Sequence, residues 1–319
     1  MKQVYNLNMK NYLLSLITIL LLTSQAIFSL TEKNTLNHQG IDRTFVLHVP
    51  EQLNESASLV VVIHGYTGSA ENIMSYTGMN DLADQNNFIV AYPQGTIDSQ
   101  GNAFFNVGYS FNSESAIDDV SFIEALVLDL QSKYPVNPKN TFATGMSNGG
   151  DMSYLLACQQ STLFSAVAPV AGVMMKETLD SCEPERTIPI FEIHGTEDKI
   201  SLFGGDIDDK DGWGPYYDMP TTIKFWANKH NLNEMEFIPL EDKDVSDGSN
   251  IVFERYFSTE HSKEVWLYRV EGGRHTWPGG RADIKWWKNP IAWYYLPTGN
   301  NDIVTSNEVW SFFERYVEK

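Results

Sequence analysis

Between Thr141 and Gly150 the chain reads Thr-Phe-Ala-Thr-Gly-Met-Ser-Asn-Gly-Gly, a β-branched and aromatic run that ends in Gly-x-Ser-x-Gly. The run favours a strand. A strand that restarts as a helix within so few residues forces the serine backbone into a strained turn, and only small residues fit on either side. Gly145 and Gly149 have no Cβ to clash as strand and helix approach. Such a turn belongs at the C-terminal edge of a sheet that carries a helix against its face. It pushes Ser147 Oγ out at the top of the sheet. It also puts the backbone N–H of Asn148 at a helix N-terminus, where it can point at a developing oxyanion. As a bare pattern the motif is weak, so the rest of the chain has to agree with it.

It does agree, because strands and helices alternate through most of the chain. Arg43 to Val49 and Leu59 to Ile63 read as strands, the second almost wholly apolar and therefore central in a buried sheet. A helix is expected from Glu71 to Gln85 and a strand from Phe88 to Tyr92. Ile117 to Tyr134 has apolar residues at helical spacing, with Asp118 or Asp119 suited to its N-cap. After the elbow come a helix to about Cys158 and strands at Phe164 to Val170 and Ile188 to Ile193. A helix at Thr221 to Lys229, strands at Ile251 to Phe257 and Val265 to Val270, and a terminal helix from about Ser306 to Tyr316 complete the pattern. Alternation of this kind predicts an α/β fold, with a mostly parallel, doubly wound sheet and helices on both faces. With no repeat and no low-complexity linker, the 319 residues read as one catalytic domain, 27–319, behind a leader at 1–26. Gly204 to Tyr217 and Gly279 to Gly299 are too irregular for core elements. They are expected as loops over the C-terminal edge of the sheet, where ligands bind in such folds.

The leader is read from Lys2 and Lys10, an apolar run from Tyr12 to Leu22, and Thr23-Ser24-Gln25-Ala26. This is the pattern of a secretory signal peptide. A membrane anchor is the alternative, but the run is shorter than the ~20 residues a span needs. The expectation is a secreted or periplasmic protein with no membrane association after cleavage. Losing Lys2 and Lys10 takes the basic residues from 22 to 20 against 41 acids, a net of −21. That charge disfavours nucleic acid and anionic membrane surfaces as partners. Asp206, Asp208, Asp209 and Asp211 form one acidic group, and Glu241, Asp242, Asp244 and Asp247 another. Neither has the glycine and terminal Glu of a calcium loop at the required spacing, so solvated loops are expected rather than a metal site, with adventitious calcium as the alternative. The two cysteines, Cys158 and Cys182, would meet an oxidising compartment after export. A bridge between them would be worth about 3 kcal/mol by loop-closure entropy.

A serine hydroxyl becomes a useful nucleophile when an imidazole takes its proton and a carboxylate orients that imidazole. On this kind of sheet the chain order is Ser, then acid, then His. His230 ends an amphipathic helix and His261 sits in a polar turn, so both read as surface residues. His275 lies in Glu271-Gly-Gly-Arg-His-Thr-Trp-Pro-Gly-Gly280, directly after the last strand, in a loop stiffened by glycine and proline. For the acid, Asp198 is favoured, since it follows the strand Ile188 to Ile193 and the turn His194-Gly195-Thr196; its neighbour Glu197 is the runner-up. Asp151, in the first turn of the elbow helix, reads as a helix-dipole acid. The second oxyanion donor is expected at Tyr66 N–H, in the loop His64 to Gly68 after the most apolar strand. His64 precedes the nucleophile and reads as a pin for that loop.

Ile63-His-Gly65, Asp118-Asp-Val-Ser-Phe-Ile123, Gly145 to Gly150, Ala168-Pro-Val-Ala-Gly172, His194-Gly-Thr-Glu-Asp198 and His275-Thr-Trp-Pro-Gly279 occur in that order. Together they resemble the secreted esterases grouped as polyhydroxybutyrate depolymerase and feruloyl esterase relatives, of the α/β-hydrolase superfamily. The likeness runs from about Arg43 to the C-terminus. It implies an α/β-hydrolase fold, a carboxylic ester hydrolase without cofactor, and Ser147, Asp198 and His275 as nucleophile, acid and base.

Two stretches depart from the pattern: the acidic segment Gly204 to Tyr217 and the Trp- and Tyr-rich insert Arg281 to Gly299. Trp213, Trp286, Trp287 and Trp293 in these loops, with Trp277 beside the base, are the expected substrate contacts, because aromatic faces stack on sugar rings and aromatic acyl groups. Packing of the loops onto the body is the competing reading for the loop aromatics; for Trp277 it is holding His275. Feruloyl or acetyl esters of polysaccharide are the favoured substrates, ahead of hydroxyalkanoate polyester. A serine peptidase would ordinarily need an added domain to select peptides. A non-catalytic polysaccharide-binding module would not need all three of Ser, Asp and His.

Overall fold

The computed structural model describes residues 29–113, 115–281 and 299–318. The expected leader and Trp286, Trp287 and Trp293 therefore lie outside the described residues. The chain opens with β1 (Leu30–His38), β2 (Ile41–Val49) and β3 (Ala57–Ile63), then α1 (Ala70–Thr77) and α2 (Met79–Asn86). β4 (Phe88–Pro93), the small hairpin β5 (Thr96–Ile97) and β6 (Ala103–Phe104), and α3 (Asp119–Lys133) follow. Next come β7 (Val136–Met146), α4 (Asn148–Gln159), β8 (Ala166–Val170), α5 (Lys176–Ser181), β9 (Ile190–Gly195) and α6 (Met219–Lys229). β10 (Glu234–Pro239), β11 (Asn250–Phe257), β12 (Val265–Glu271) and α7 (Thr305–Glu314) end the described chain.

Ten strands form one sheet in the order β1-β2-β4-β3-β7-β8-β9-β12-β11-β10. The six central strands from β4 to β12 run parallel, while β1 and β2 on one side and β11 and β10 on the other pair antiparallel. This is the expected α/β-hydrolase architecture, mixed at its margins. β3 explains why it is two-sided. All seven of its residues are buried. Leu59, Val61 and Ile63 pack into a core with residues of α3, α4 and α6, whereas Val60 and Val62 pack into the opposite core with residues of α1, α2 and α7. Period-2 alternation of apolar residues thus feeds both layers, each fully buried aliphatic side chain contributing about 1.5–3 kcal/mol.

The chain leaves β3 into α1 on one face and leaves β7 into α4 on the other. The crevice between those two departures is the topological switch point, where ligands bind in open α/β sheets. The loops that carry His64, Ser147, Asp198 and His275 all emerge from C-terminal strand ends along this edge.

Three expectations need correction. The helix expected from Glu71 to Gln85 is two helices, because Gly78 adopts φ 63° as the C-cap of α1 and turns the chain into α2. A Cβ there would also lie 2.6 Å from the Arg281 guanidinium. The edge strands β1 and β10 and the short α5 are not among the expected elements; β10 carries Met235, Phe237 and Ile238, yet every one of its residues is exposed. His230 is no surface residue: it is buried, and its Nε2–H donates to the Ile188 carbonyl at 2.8 Å. Burial holds its imidazole down to about 4.

Candidate active site

Ser147 sits at the turn between β7 and α4 with φ 56° and ψ −123°, a conformation costly for a residue with a Cβ. The turn is held by Ser147 N–H donating to the Val170 carbonyl at 2.9 Å and Asp151 N–H donating to the Ser147 carbonyl at 2.9 Å. The glycine requirement is backbone-tight. A Cβ on Gly149 would meet the Ile63 carbonyl oxygen at 2.1 Å, and one on Gly145 the Gly149 carbonyl oxygen at 2.5 Å. The helix after the serine therefore lies directly on the end of β3, which carries the other expected oxyanion loop.

Asp198 and His275 meet although 77 residues separate them, with His275 Nδ1–H donating to Asp198 Oδ2 at 2.7 Å. Parallel pairing of β9 with β12 sets their two loops side by side. Asp198 Oδ1 takes the backbone N–H groups of Ile200 and Ser201 at 2.8 and 3.0 Å, which fixes the carboxylate in its own turn. Burial alone would raise this acid, but His275, His194 and the Ile200 N–H together hold it below its ordinary range. Glu197, the alternative acid, makes no side-chain hydrogen bond to His275 among the described residues.

On the other side of the crevice the loop after β3 is locked by a buried imidazole. Gly95 N–H donates to His64 Nε2 at 3.0 Å, so the ring proton resides on Nδ1, which donates to the Gly65 carbonyl at 2.7 Å. Burial lowers His64 to about 4 and keeps it neutral. Gly68 N–H reaches the same carbonyl at 3.0 Å. Because a trans peptide opposes its C=O to its N–H, two donors on Gly65 O fix the direction of Tyr66 N–H. Tyr66 is anchored at its far end as well, its hydroxyl donating to Asp98 Oδ2 at 2.6 Å. Neither Tyr66 N–H nor Asn148 N–H donates to a protein acceptor among the described residues. A Cβ on Gly65 would lie 3.8 Å from Ser147 Oγ, so this loop borders the serine.

Two side chains contribute more than sequence reasoning assigns them. Asn148 is expected only for its backbone N–H, yet its wholly buried amide clamps Phe105: Oδ1 accepts from Phe105 N–H at 2.7 Å and Nδ2 donates to its carbonyl at 2.9 Å. Asp151 lies buried beneath the site, taking Tyr109 Oη–H at 2.6 Å and Val173 N–H at 2.6 Å. Desolvation raises its carboxyl to about 7, against the pull of those two donors.

The aromatic residues divide. Trp213 stands among Tyr66, Tyr109 and Phe111, at ring distances of 5.3, 5.2 and 5.7 Å. Trp213, Tyr66 and Phe111 remain partly open to solvent. Trp277 is 1% exposed, with its indole N–H donating to Ser306 Oγ at 3.1 Å. No face of it is open to a substrate; it ties the His275 loop to α7. In the segment Gly204 to Tyr217 the acids serve the loop itself, Asp206 and Asp209 accepting backbone N–H groups of Asp211 and Gly214. Among the described residues no group of three or more His, Cys, Asp or Glu side chains is arranged to hold a metal ion. Cys158, near the end of α4, is bridged to Cys182 at the end of α5. No helix among the described residues is long and apolar enough to cross a membrane.

Residues 44–221 match the sequence profile of the family described as esterase PHB depolymerase. Feruloyl esterase B of Piromyces equi is 30% identical over 233 residues, which cover 72% of this chain and 41% of that protein. Poly(3-hydroxyalkanoate) depolymerase C of Paucimonas lemoignei is 25% identical over 236 residues, 74% of this chain and 55% of that protein. The chain thus spans about half the length of these relatives. Among solved structures, an acetyl xylan esterase from Aspergillus awamori superposes with a TM-score of 0.56 at 17% identity, covering 82% of this chain and 98% of that one. At that identity the likeness is one of fold.

Proposed function

We propose, from the premise that the chain belongs to the esterase PHB depolymerase family and is a carboxylic ester hydrolase, that Ser147, His275 and Asp198 are its catalytic triad. The carrying observation is the Asp198–His275 hydrogen bond of 2.7 Å at the strand edge that also bears the strained Ser147 turn. His275 Nε2 takes the Ser147 proton as Oγ attacks the ester carbonyl, and the tetrahedral oxyanion is held by the N–H groups of Tyr66 and Asn148. The proton then passes from His275 to the leaving alcohol, and an acyl-serine remains. Water, deprotonated by His275, releases the carboxylic acid and restores the serine. Every group needed is supplied by the chain.

The substrates we infer are feruloyl or acetyl esters of polysaccharide, in keeping with the name of the feruloyl esterase relative. The partly open rings of Tyr66, Phe111 and Trp213 beside the oxyanion loop favour an aromatic acyl group over hydroxyalkanoate polyester, since flat faces stack on such a group. Secretion with removal of residues 1–26 fits the Cys158–Cys182 bridge, which an oxidising compartment preserves.

The test is hydrolysis of nitrophenyl acetate, methyl ferulate, acetylated xylan and hydroxybutyrate oligomers by the unsubstituted enzyme and three variants. Ser147→Ala and His275→Ala should each lose several orders of magnitude on every ester, as units of this kind lose up to ~10⁶-fold when broken. Trp213→Ala should lose about tenfold on methyl ferulate and far less on nitrophenyl acetate. Near-full activity in His275→Ala would sink the triad. Equal losses on both esters in Trp213→Ala would mean that the ring only packs the loop.

A further inference from the structure

β9 carries two buried ionisable residues on one face, Glu192 and His194, just before the turn that bears Asp198. Both ring nitrogens of His194 meet acceptors. Nδ1 lies 2.9 Å from Glu192 Oε1, and Nε2 lies 2.7 Å from the Ser201 carbonyl oxygen. A neutral imidazole has a single N–H, so with Glu192 ionised, as the Gly172 N–H donating to its Oε1 at 3.3 Å favours, filling both contacts takes the doubly protonated ring. A third acceptor, Asp198 Oδ2, stands 3.5 Å from Nε2, and this same oxygen receives the His275 proton donor at 2.7 Å. The Phe203 ring covers another side of His194 at 5.8 Å. Acid and base therefore alternate along one buried line: Glu192, His194, Asp198, His275.

We propose that His194 is a positioning residue, an imidazolium paired with Glu192 behind the catalytic acid, whose charge opposes a second positive charge on His275. The inference rests on the triad assigned above. Other ionisable groups face this line from the neighbouring elements. Asp151 and Tyr154 of α4 lie within electrostatic reach of Glu192, and Asp151 also of His275. Removing the His194 cation leaves Asp198 ionised, because its Oδ1 still takes the backbone N–H groups of Ile200 and Ser201, so the sign at His275 is set by the lost positive charge. Burial works against a charged His194, yet Glu192 and Asp198 carry it up to about 9. Charge on His194 opposes a second positive charge on His275. Removing it favours protonated His275, so the acid limb of the activity profile must move to higher pH. A charge within about 4–6 Å shifts a neighbour by 1–3 units; His194 acts on His275 across Asp198, so about half to one unit is expected.

The experiment measures kcat/KM for nitrophenyl acetate against pH in the unsubstituted enzyme and in His194→Gln, because that profile reports the free enzyme's essential base. An acid limb displaced upward by about half to one unit supports the proposal. A lowered plateau with the limb unmoved would overturn it, since lost packing alone gives that result. Nitrogen-15 NMR of histidine-labelled, unsubstituted protein gives a second reading that needs no variant to fold. His194 should have both ring nitrogens protonated throughout pH 5–8, and a single protonated nitrogen at pH 7 would overturn the proposal. His275→Ala separates the two levels. If it stays active the triad itself is wrong, whereas if it is inactive and the His194→Gln limb is unmoved only this inference fails.

Discussion

Replacing Asn148 by Asp exchanges one NH2 group for an oxygen and changes no volume, yet the clamp on Phe105 makes it a demanding substitution. In the native pairing Phe105 N–H donates to Oδ1 at 2.7 Å and Nδ2 donates to the Phe105 carbonyl at 2.9 Å, with the side chain fully buried. An ionised carboxylate in place of the amide would set an oxygen against that carbonyl. The alternative is to take up a proton and donate with it. Holding an acid of ordinary pKa ~3.9 protonated at pH 7 costs about 4 kcal/mol, from about 1.4 kcal/mol per pH unit. The N-terminus of α4 opposes this by favouring negative charge, an effect worth up to about 2 kcal/mol when partly buried. Burial therefore wins, leaving a net loss of about 2–4 kcal/mol at pH 7. The sign of the pH dependence follows. The folded-state pKa of the new acid is raised, so its penalty is absent below about pH 4 and grows as pH rises. At pH 5 the loss should be at most about 1.5 kcal/mol. Urea unfolding of both proteins at pH 5 and pH 7 measures it. A loss equal at the two pH values, or none at pH 7, would refute the reasoning; the second result would mean that the helix terminus outweighs the carbonyl.

Two further predictions concern stability. Joint replacement of Cys158 and Cys182 by serine should lower the unfolding free energy by about 3 kcal/mol, because the bridge closes a loop with a sequence separation of 24; an unchanged urea midpoint would show that the bridge constrains nothing in the unfolded chain. Asp151→Asn keeps a neutral partner for Tyr109 and Val173 while removing a carboxyl raised from 3.8 to about 7. The native protein should therefore lose up to roughly 4 kcal/mol between about pH 4 and pH 7 that the variant keeps, so thermal unfolding at pH 5 and pH 8 should find the variant gaining on it at the higher pH.

What the sequence determined by itself is what local pattern can carry. The apolar period of Leu59 to Ile63, the helical spacing within Asp119–Lys133 and the glycines around Ser147 each state their element and its burial, because a strand or a helix face needs those residues wherever it packs. Chain order added the expectation that Asp198 and His275 would come together, and strand pairing between β9 and β12 brings them to 2.7 Å. β1 was beyond reach, since Leu30 and Leu36 stand too far apart to set a period, and β10 was missed although Met235, Phe237 and Ile238 are apolar, because all three stay exposed on an edge strand. The break at Gly78 was also hidden, because glycine is tolerated in a helix and only the φ it adopts ends one. Tertiary structure alone decided the burial of His230, the Asn148 clamp on a residue 43 positions away, and the pair of acceptors around the His194 ring. In each of these the side chain's state is set by acceptors, donors and lost water supplied by other elements. A residue's neighbours in sequence say little about which of those it will meet.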